Sequence, residues 1–243
     1  MLGDPRNRVP EAPADAGAGA MRRFRASVSR FRNGAVHERR RARILGLLDG
    51  LDPAELALAA RRHAAVAPEE TVASAARRVP ALVLAERLGF GDPERAPALV
   101  ARVADAYADD GIDERADAAI AALWADAPAA DGPDDETERA LRVQLLVQAH
   151  LATAVLVERA AALASRRPDA STRALLLAVL RNDPPVAATR RIVDGAAATL
   201  PLADPDGTGN GLAFGDGPRA CPAPHHALAI AGALVDELRG RPC

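Results

Sequence analysis

Apolar residues at helical spacing mark the most regular stretches of the chain. Near its end, five of them recur at intervals of one, three and four positions: Ala227, Ile230, Ala231, Leu234 and Leu238. This spacing places them on one face of a helix. Residues 136–166 carry the longest helical pattern, which Pro168 and Asp169 bring to an end. The pattern therefore predicts a mainly α-helical fold.

Shorter helical patterns fill most of the rest of the chain. In residues 68–89, Pro80 is expected to break the helix and Gly89 to cap its second half. Residues 92–127 have the pattern of two short helices broken at Gly111. No internal repeat accompanies these patterns, so a single helical domain is the natural expectation.

Length and composition set the domain limits. The first 21 residues are rich in Pro, Gly, Ala and Asp and predict a disordered leader, residues 1–21. The remaining residues, 22–243, are predicted to form a single domain. Apolar residues make up 49% of the chain but aromatic residues only 2%, so the core is expected to consist of Ala, Leu and Val.

Charge and cysteine content exclude several classes of function. All 31 basic residues are arginine and the net charge is −2, which leaves no electrostatic footprint for nucleic acid. The most apolar stretch, 141–157, contains Arg142, Gln144, Gln148 and His150, so no membrane-spanning run is expected. The N-terminus lacks an apolar signal core, which predicts a cytoplasmic protein without a membrane partner. Two cysteines, Cys221 and Cys243, predict no disulfide framework.

A glycine-rich stretch before the last predicted helix carries the strongest candidate chemistry. Phe214, Gly215, Gly217, Arg219 and Cys221 have the spacing F-G-x-G-x-R-x-C. The glycines allow a tight turn in which the backbone approaches another group closely. A cysteine at a helix N-terminus faces unpaired N–H groups, which favour its thiolate. Such a thiolate suits the axial position of heme iron. The alternative is a turn with a buried, inert cysteine.

This stretch resembles the heme-binding loop of the cytochrome P-450 superfamily. Five fixed positions occur within eight residues, and the expected helix follows. Ala223 stands at the motif's usual later glycine, as in some members. The resemblance implies heme b, with the iron bound by the Cys221 thiolate. It also places Phe214 and Gly215 at the cofactor and pairs Arg219 with a heme propionate.

Two other stretches resemble propionate-binding parts of the same family. His37 and Arg41 lie one helical turn apart, as does the H-x-x-x-R pair of the family's C helix. The alternative is a solvated, arginine-rich helix. Residues 180–191 resemble the K helix and the strand after it. Arg190 or Arg191 then matches the family's propionate-binding arginine, and Arg191 aligns better.

The longest predicted helix resembles the family's I helix, which crosses the distal face of the heme. The family carries an acid and an alcohol there, but Leu151 and Ala152 occupy those positions, and Thr153 follows one position later. The catalytic candidates on this helix are Gln148 and Thr153. Gln148 shares a helical face with Gln144, and that face is open to two interpretations, contact with the heme pocket or with solvent.

The K-helix resemblance is incomplete. Its E-x-x-R signature lacks the glutamate, because Ala178 stands three residues before Arg181. A glutamate restored there would be a buried charge without one of its partners, so Ala178→Glu is expected to cost about 1–3 kcal/mol. The family's first helices, meander and C-terminal strands have no counterpart. The resemblance thus implies a reduced cytochrome P-450-like helical fold, with C, D, E, I, K and L helix equivalents and little β structure.

Two functions from different classes remain open. The first is a heme-thiolate biosynthetic oxidoreductase of non-standard mechanism, since the acid–alcohol pair for dioxygen activation is missing. The second is a heme-free auxiliary protein that stabilises or activates a partner biosynthetic enzyme, such as a glycosyltransferase. Retention of Cys221 favours the first function, while the missing glutamate at Ala178 suits the second or the product of a decayed gene. The expected partners are a small-molecule substrate and a partner enzyme or second copy bound through uncovered apolar surface.

Overall fold

The computed structural model describes residues 2–4, 6–13, 19–107, 113–130, 134–203 and 212–241. Within these ranges the chain forms nine α-helices: α1 Ala20–Ser27, α2 Gly34–Asp49, α3 Pro53–Ala65, α4 Val72–Arg87, α5 Ala96–Tyr107, α6 Glu114–Asp126, α7 Asp135–Arg166, α8 Thr172–Asn182 and α9 Pro224–Leu238. The strands of the same ranges are β1 Ala188–Val193 and β2 Ala196–Pro201, which pair in antiparallel fashion. The predicted mainly α fold with little β structure is confirmed.

Local sequence signals account for several helix ends. The side chain of Asp52 accepts the backbone N–H of Ala54 over 2.8 Å at the start of α3, and Ser171 caps α8 in the same way. Gly89 follows α4 with φ of 80°, and the next residue, Phe90, donates its N–H to the carbonyl oxygen of Ala85 over 3.0 Å. This is the left-handed glycine cap that the sequence predicts.

The predicted helix break at Pro80 is wrong. Helix α4 runs from Val72 to Arg87 with Pro80 inside it. A proline removes one helical hydrogen bond and crowds the carbonyl group four residues earlier. Val79 and residues 81–83 on either side of it are fully buried. Their packing outweighs the local preference, because helices in proteins are stabilised mainly by the face that they bury.

The described part of the expected leader makes specific contacts. Arg8 and Ile192 exchange backbone hydrogen bonds of 3.2 and 2.7 Å, and Ala12 is buried with 5% exposure. Helix α1 begins at Ala20, close to the predicted start of the ordered chain. The division into a leader of residues 1–21 and a single domain stays a prediction, but this segment is not without structure in its described residues.

The chain divides into two compact units. The first comprises Met1–Arg8, Asp52–Val79 and Leu151–Cys243, and the second comprises Val9–Leu51 and Pro80–His150. In the first unit α9 packs against α3 and α8, and the β1–β2 hairpin follows α8. In the second unit α1 packs against α5 and α6. Each unit therefore has its own set of helix contacts.

An aromatic cluster lies in the core of the second unit. The ring centroid of Phe24 is 5.6 Å from that of Tyr107 and 6.2 Å from that of Trp124, and Phe31 lies 5.2 Å from Tyr107. The whole chain has four Phe, one Tyr and one Trp, so most of its aromatic side chains pack here. Trp124 is accordingly a packing residue.

Helix α7 differs from its sequence-based description in one respect. Among the described residues, α7 is the helix whose length and apolar composition would allow it to cross a membrane. The sequence predicts no membrane-spanning run. Its most apolar window is 67% buried inside the protein. The core helix of a soluble protein passes the same test, because burial in protein and burial in lipid both select apolar residues.

Candidate functional site

The candidate site is built around residues 212–223 of the first unit, here called the Cys221 loop. The loop contains two short 3₁₀ turns, Leu212–Phe214 and Gly217–Arg219, and leads into α9. The backbone N–H of Cys221 donates to the carbonyl oxygen of Phe214 over 2.6 Å. This bond closes the loop and holds Cys221 three residues before the first residue of α9.

Two glycines of the motif have backbone conformations that favour glycine. Gly215 has φ of 74° and Gly217 has φ of 66°, both in the left-handed region. A Cβ atom on Gly217 would also lie 2.7 Å from the Cα and carbonyl oxygen of Gly3. The close backbone approach expected from the sequence is therefore present at Gly217, and the approaching group is another part of the same chain.

The Cys221 side chain is half-buried and has a donor aimed at its sulfur. The backbone N–H of Ala223 lies 3.4 Å from the Sγ atom. A hydrogen bond to sulfur and the nearby N-terminus of α9 both favour negative charge on the sulfur. The loop therefore presents one sulfur donor in surroundings that suit a thiolate ligand.

The predicted arginines of the first unit differ in burial. Arg219 and Phe214 lie on the Cys221 loop with half-buried side chains. Arg191 on β1 is 7% exposed, and its guanidinium donates to Oγ1 of Thr189 over 2.6 Å and to the carbonyl oxygen of Arg190 over 2.9 Å. Arg190 is exposed. Of the two arginines Arg191 is therefore the one whose side chain is buried, and its role at a propionate stays a prediction.

His37 and Arg41 lie on α2 in the second unit. His37 is 7% exposed and Arg41 is half-buried, so the interpretation as a fully solvated helix does not hold for this face. Both side chains already interact with other groups of the protein. Their predicted role at a propionate stays a prediction.

Sequence reasoning missed a pair of arginines beside them. Arg32 and Arg40 both donate to the carbonyl oxygen of Ala26, over 3.0 and 2.8 Å. Burial, and then the positive charge of Arg32, lower the pKa of Arg40. These side chains close the C-terminal end of α1, where carbonyl groups lack helical partners. No sequence pattern distinguishes them from the neighbouring arginines.

The two glutamines of α7 have different surroundings. Gln144 is 2% exposed, which contradicts the interpretation that it reaches solvent, whereas Gln148 is half-buried. Nε2 of Gln144 donates to Oε1 of Gln148 over 2.8 Å. On the same helix Thr153 is 3% exposed and Leu151 is 38% exposed. Thr153 is therefore a core residue, and the Gln148 amide is the more accessible candidate.

The donor set of the Cys221 loop fits a heme iron better than a multi-ligand metal ion. Within the described ranges no group of three or more His, Cys, Asp and Glu side chains could hold a metal. A heme iron needs one protein ligand on its proximal side, and a cysteine thiolate is such a ligand. Cys221, with the N–H of Ala223 at its sulfur, meets that requirement.

Comparison with known proteins shows the fold. No protein-family profile and no curated protein sequence matches the chain. Solved structures do match it. P450BioI, crystallised in complex with hexadec-9Z-enoic acid ligated acyl carrier protein, has a TM-score of 0.73 at 15% identity, covering 97% of this chain and 80% of P450BioI.

Other cytochromes give similar values. Ligand-free cytochrome P450 TbtJ1 has a TM-score of 0.67 at 16% identity, covering 97% of this chain and 79% of its own. Substrate-free CYP109E1 from Bacillus megaterium has a TM-score of 0.69 at 13% identity, covering 95% and 79%. At such low identity these similarities establish the fold and nothing finer. The chain has a divergent cytochrome P450-like fold.

Proposed function

We propose that this protein is a heme-thiolate oxidoreductase of cytochrome P450 type with a non-standard mechanism. The observation that carries the proposal is the geometry of the Cys221 loop. The sequence F-G-x-G-x-R-x-C forms a closed turn before a helix, and the N–H of Ala223 points at the cysteine sulfur. The P450-like fold makes heme b the expected group.

The proximal residues have separate tasks in this proposal. The Cys221 thiolate binds the iron, and the Ala223 N–H stabilises its charge. Arg219 and Arg191 supply guanidinium groups for the two carboxylates of the heme, which guanidinium binds well. His37 and Arg41 add to them in the sequence-based prediction. When bound, a heme with a thiolate ligand supplies oxidising chemistry by donating electron density toward the oxidant.

The candidate distal residues restrict which oxidant is used. Activation of dioxygen requires protons delivered by a positioned acid or water chain. Leu151 and Ala152 have no group that could deliver one, and Thr153 is buried in the core. The Gln148 amide can hold a water or a substrate oxygen but is not an acid. An oxidant that already carries its protons, such as hydrogen peroxide, suits these residues better than dioxygen.

The absorption spectrum of the purified protein tests the proposal. We expect a red protein whose reduced carbon monoxide complex has the Soret band of a thiolate-ligated heme. Cys221→Ser should remove or convert that band, and Cys243→Ser, the matched control, should leave it unchanged. A Cys221→Ser protein with an unaltered carbon monoxide spectrum would contradict the assignment of the ligand.

The oxidant is tested by turnover. Oxidation of a small-molecule substrate should be supported by hydrogen peroxide, and turnover with dioxygen and a ferredoxin-type reductase should be negligible. Tightly coupled use of reducing equivalents with product formation would show that protons reach the oxidant by a route without residues 151 and 152. The substrate, the cytoplasmic location and contact with a partner enzyme or second copy stay predictions.

The second candidate function is a heme-free auxiliary protein that stabilises or activates a partner biosynthetic enzyme. One observation favours it: Ala178 carries no charge and Arg181 is exposed, so the ion pair expected from the family is missing here. A scaffold, however, does not require a cysteine held in a loop of this geometry. A colourless protein from cells supplied with heme precursor, which still raises the activity of a co-expressed glycosyltransferase, would decide for this alternative.

A further inference from the structure

The N-terminal residues contact the Cys221 loop directly. A Cβ atom on Gly217 would lie 2.7 Å from the Cα atom of Gly3, and a Cβ atom on Gly3 would lie 2.5 Å from Oδ2 of Asp216. The contact at Gly217 is with backbone atoms of Gly3, so it requires a residue without a Cβ at position 217. Oδ1 of Asp216 also accepts the N–H of Gly217 over 2.7 Å. Gly3 therefore fits against the turn that sets the path of the loop.

The same segment is fastened at its other end to β1. The N–H of Arg8 donates to the carbonyl oxygen of Ile192 over 3.2 Å, and the N–H of Ile192 donates back to Arg8 over 2.7 Å. This two-way exchange is the hydrogen-bonded pair of an antiparallel sheet. Ile192 directly follows Arg191, so the second attachment point lies next to a predicted cofactor residue.

Between the two ends, local hydrogen bonds join the described residues Asp4, Arg6 and Asn7. The N–H of Asn7 donates to the carbonyl oxygen of Asp4 over 3.1 Å, and the N–H of Arg6 donates to Oδ1 of Asp4 over 2.9 Å. The Arg6 guanidinium also binds the Asp4 carboxylate, and this side-chain hydrogen bond lowers the pKa of Asp4 to about 2. These local bonds reduce the freedom of the segment between its attachment points.

The segment does not pack along its whole length. A cleft of about 480 Å³ separates Asp4 and Arg6 from the hairpin turn at Asp194 and Gly195. The contacts at Gly3 and Arg8 are therefore two separate anchors, because Asp4, Arg6 and Asn7 between them line this cleft.

We propose that residues 2–4 and 6–8 form a strap that ties the Cys221 loop to strand β1 and keeps the Cys221 sulfur in its half-buried position. The link from the strap to the sulfur is short: the carbonyl oxygen of Gly217 accepts the N–H of Ala220 over 3.0 Å, and Ala220 precedes Cys221. The left-handed backbone at Gly215 and Gly217 is open to many other conformations when nothing presses on it. Contact with the strap restricts these conformations, and this restriction does not depend on bound heme.

Hydrogen exchange of the full chain, carrying Cys243→Ser, tests the strap at each anchor. Arg8→Pro removes the N–H that binds Ile192, and Arg8→Ala is the matched control that keeps it. Gly3→Ala places a Cβ 2.5 Å from Oδ2 of Asp216, the residue whose Oδ1 accepts the N–H of Gly217. Gly46→Ala is its control, because a Cβ at Gly46 meets nothing within 4 Å. We expect exchange in the peptide that covers the Cys221 loop to rise roughly tenfold in Arg8→Pro and Gly3→Ala, but not in the controls.

The rate at which an aromatic disulfide reagent modifies Cys221 supplies the second measurement. It should rise in the same two variants of the heme-free protein, because a loosened loop exposes the sulfur to the reagent. Unchanged exchange and unchanged thiol reactivity in both variants would overturn the proposal. An equal rise in the exchange of α8 would also overturn it, since that result indicates general destabilisation of the unit. If the protein is colourless but the two variants show the expected rises in hydrogen exchange and thiol reactivity, the strap is supported and the proposed heme function is not.

Discussion

The backbone N–H of Ser29 donates to Oε1 of Gln144 over 2.8 Å, across 115 positions of sequence. Oγ of Ser29 also accepts a hydrogen bond from Nε2 of Gln144 over 2.9 Å. Both residues are buried, with exposures of 7% and 2%. One glutamine of α7 thus satisfies a backbone group just after α1, within the second unit.

Replacing this glutamine should destabilise the protein. Gln144→Leu leaves the N–H and hydroxyl of Ser29 buried without their partner, and a lost buried hydrogen bond costs about 1–3 kcal/mol. Gln148→Leu, at a half-buried position on the same face, should cost less than half as much. Chemical denaturation measures the free energy of unfolding of the two variants. Equal decreases would show that the contact between Gln144 and Ser29 does not stabilise the protein more than the contact at Gln148.

Removing the Tyr107 hydroxyl should stabilise the protein. Within the described ranges this buried hydroxyl has no hydrogen-bond partner, and burial raises the pKa of Tyr107 above its ordinary value. The ring itself packs against Phe24 and Phe31. Tyr107→Phe keeps the ring and deletes an unpaired polar group, so we expect a gain of about 1 kcal/mol in the free energy of unfolding. A loss of stability would mean that the hydroxyl is bonded after all.

Stability should fall in acid through Glu70. Arg78 donates two hydrogen bonds to the Glu70 carboxylate, of 2.8 and 3.1 Å, and these hold the pKa of Glu70 below its ordinary value of 4.5. A carboxyl whose pKa is lowered by folding stabilises the protein above its ordinary pKa and loses that contribution as the pH falls below it. Glu70→Gln should cost about 1 kcal/mol at neutral pH.

The same variant should flatten the pH dependence. We expect the difference between wild type and Glu70→Gln to shrink as thermal unfolding is followed from pH 7 to about pH 3. Glu69→Gln, at the exposed neighbouring position, is the control and should leave the profile unchanged. A constant difference at every pH would exclude the ion pair as its cause.

The effect of Ala178→Glu should be small. The sequence predicts a buried charge there and a cost of about 1–3 kcal/mol, but Ala178 is half-buried and Arg181 is exposed. A glutamate at this position can reach water and lies one turn before Arg181. We expect the free energy of unfolding, measured by thermal unfolding, to change by no more than about 0.5 kcal/mol. The control, Ala174→Glu on the exposed face of the same helix, should give the same small change. A cost above 1 kcal/mol would restore the buried-charge expectation.

The sequence by itself determined the helical architecture and the chemistry of one loop. Apolar spacing predicts α7 and α9, and the glycines and cysteine of the Cys221 loop predict a tight turn before a helix. These features depend on neighbours a few residues apart, so local pattern is sufficient to find them.

Only the tertiary structure decided which residues of these elements contact each other. It carries α4 through Pro80, buries Gln144 against Ser29 and sets Gly3 against Gly217. Each outcome depends on residues far apart in the chain, whose packing and paired polar groups outweigh local preference. The sequence marks Gly217 as a place of close approach, but it does not contain the information that the approaching group is the chain's own third residue.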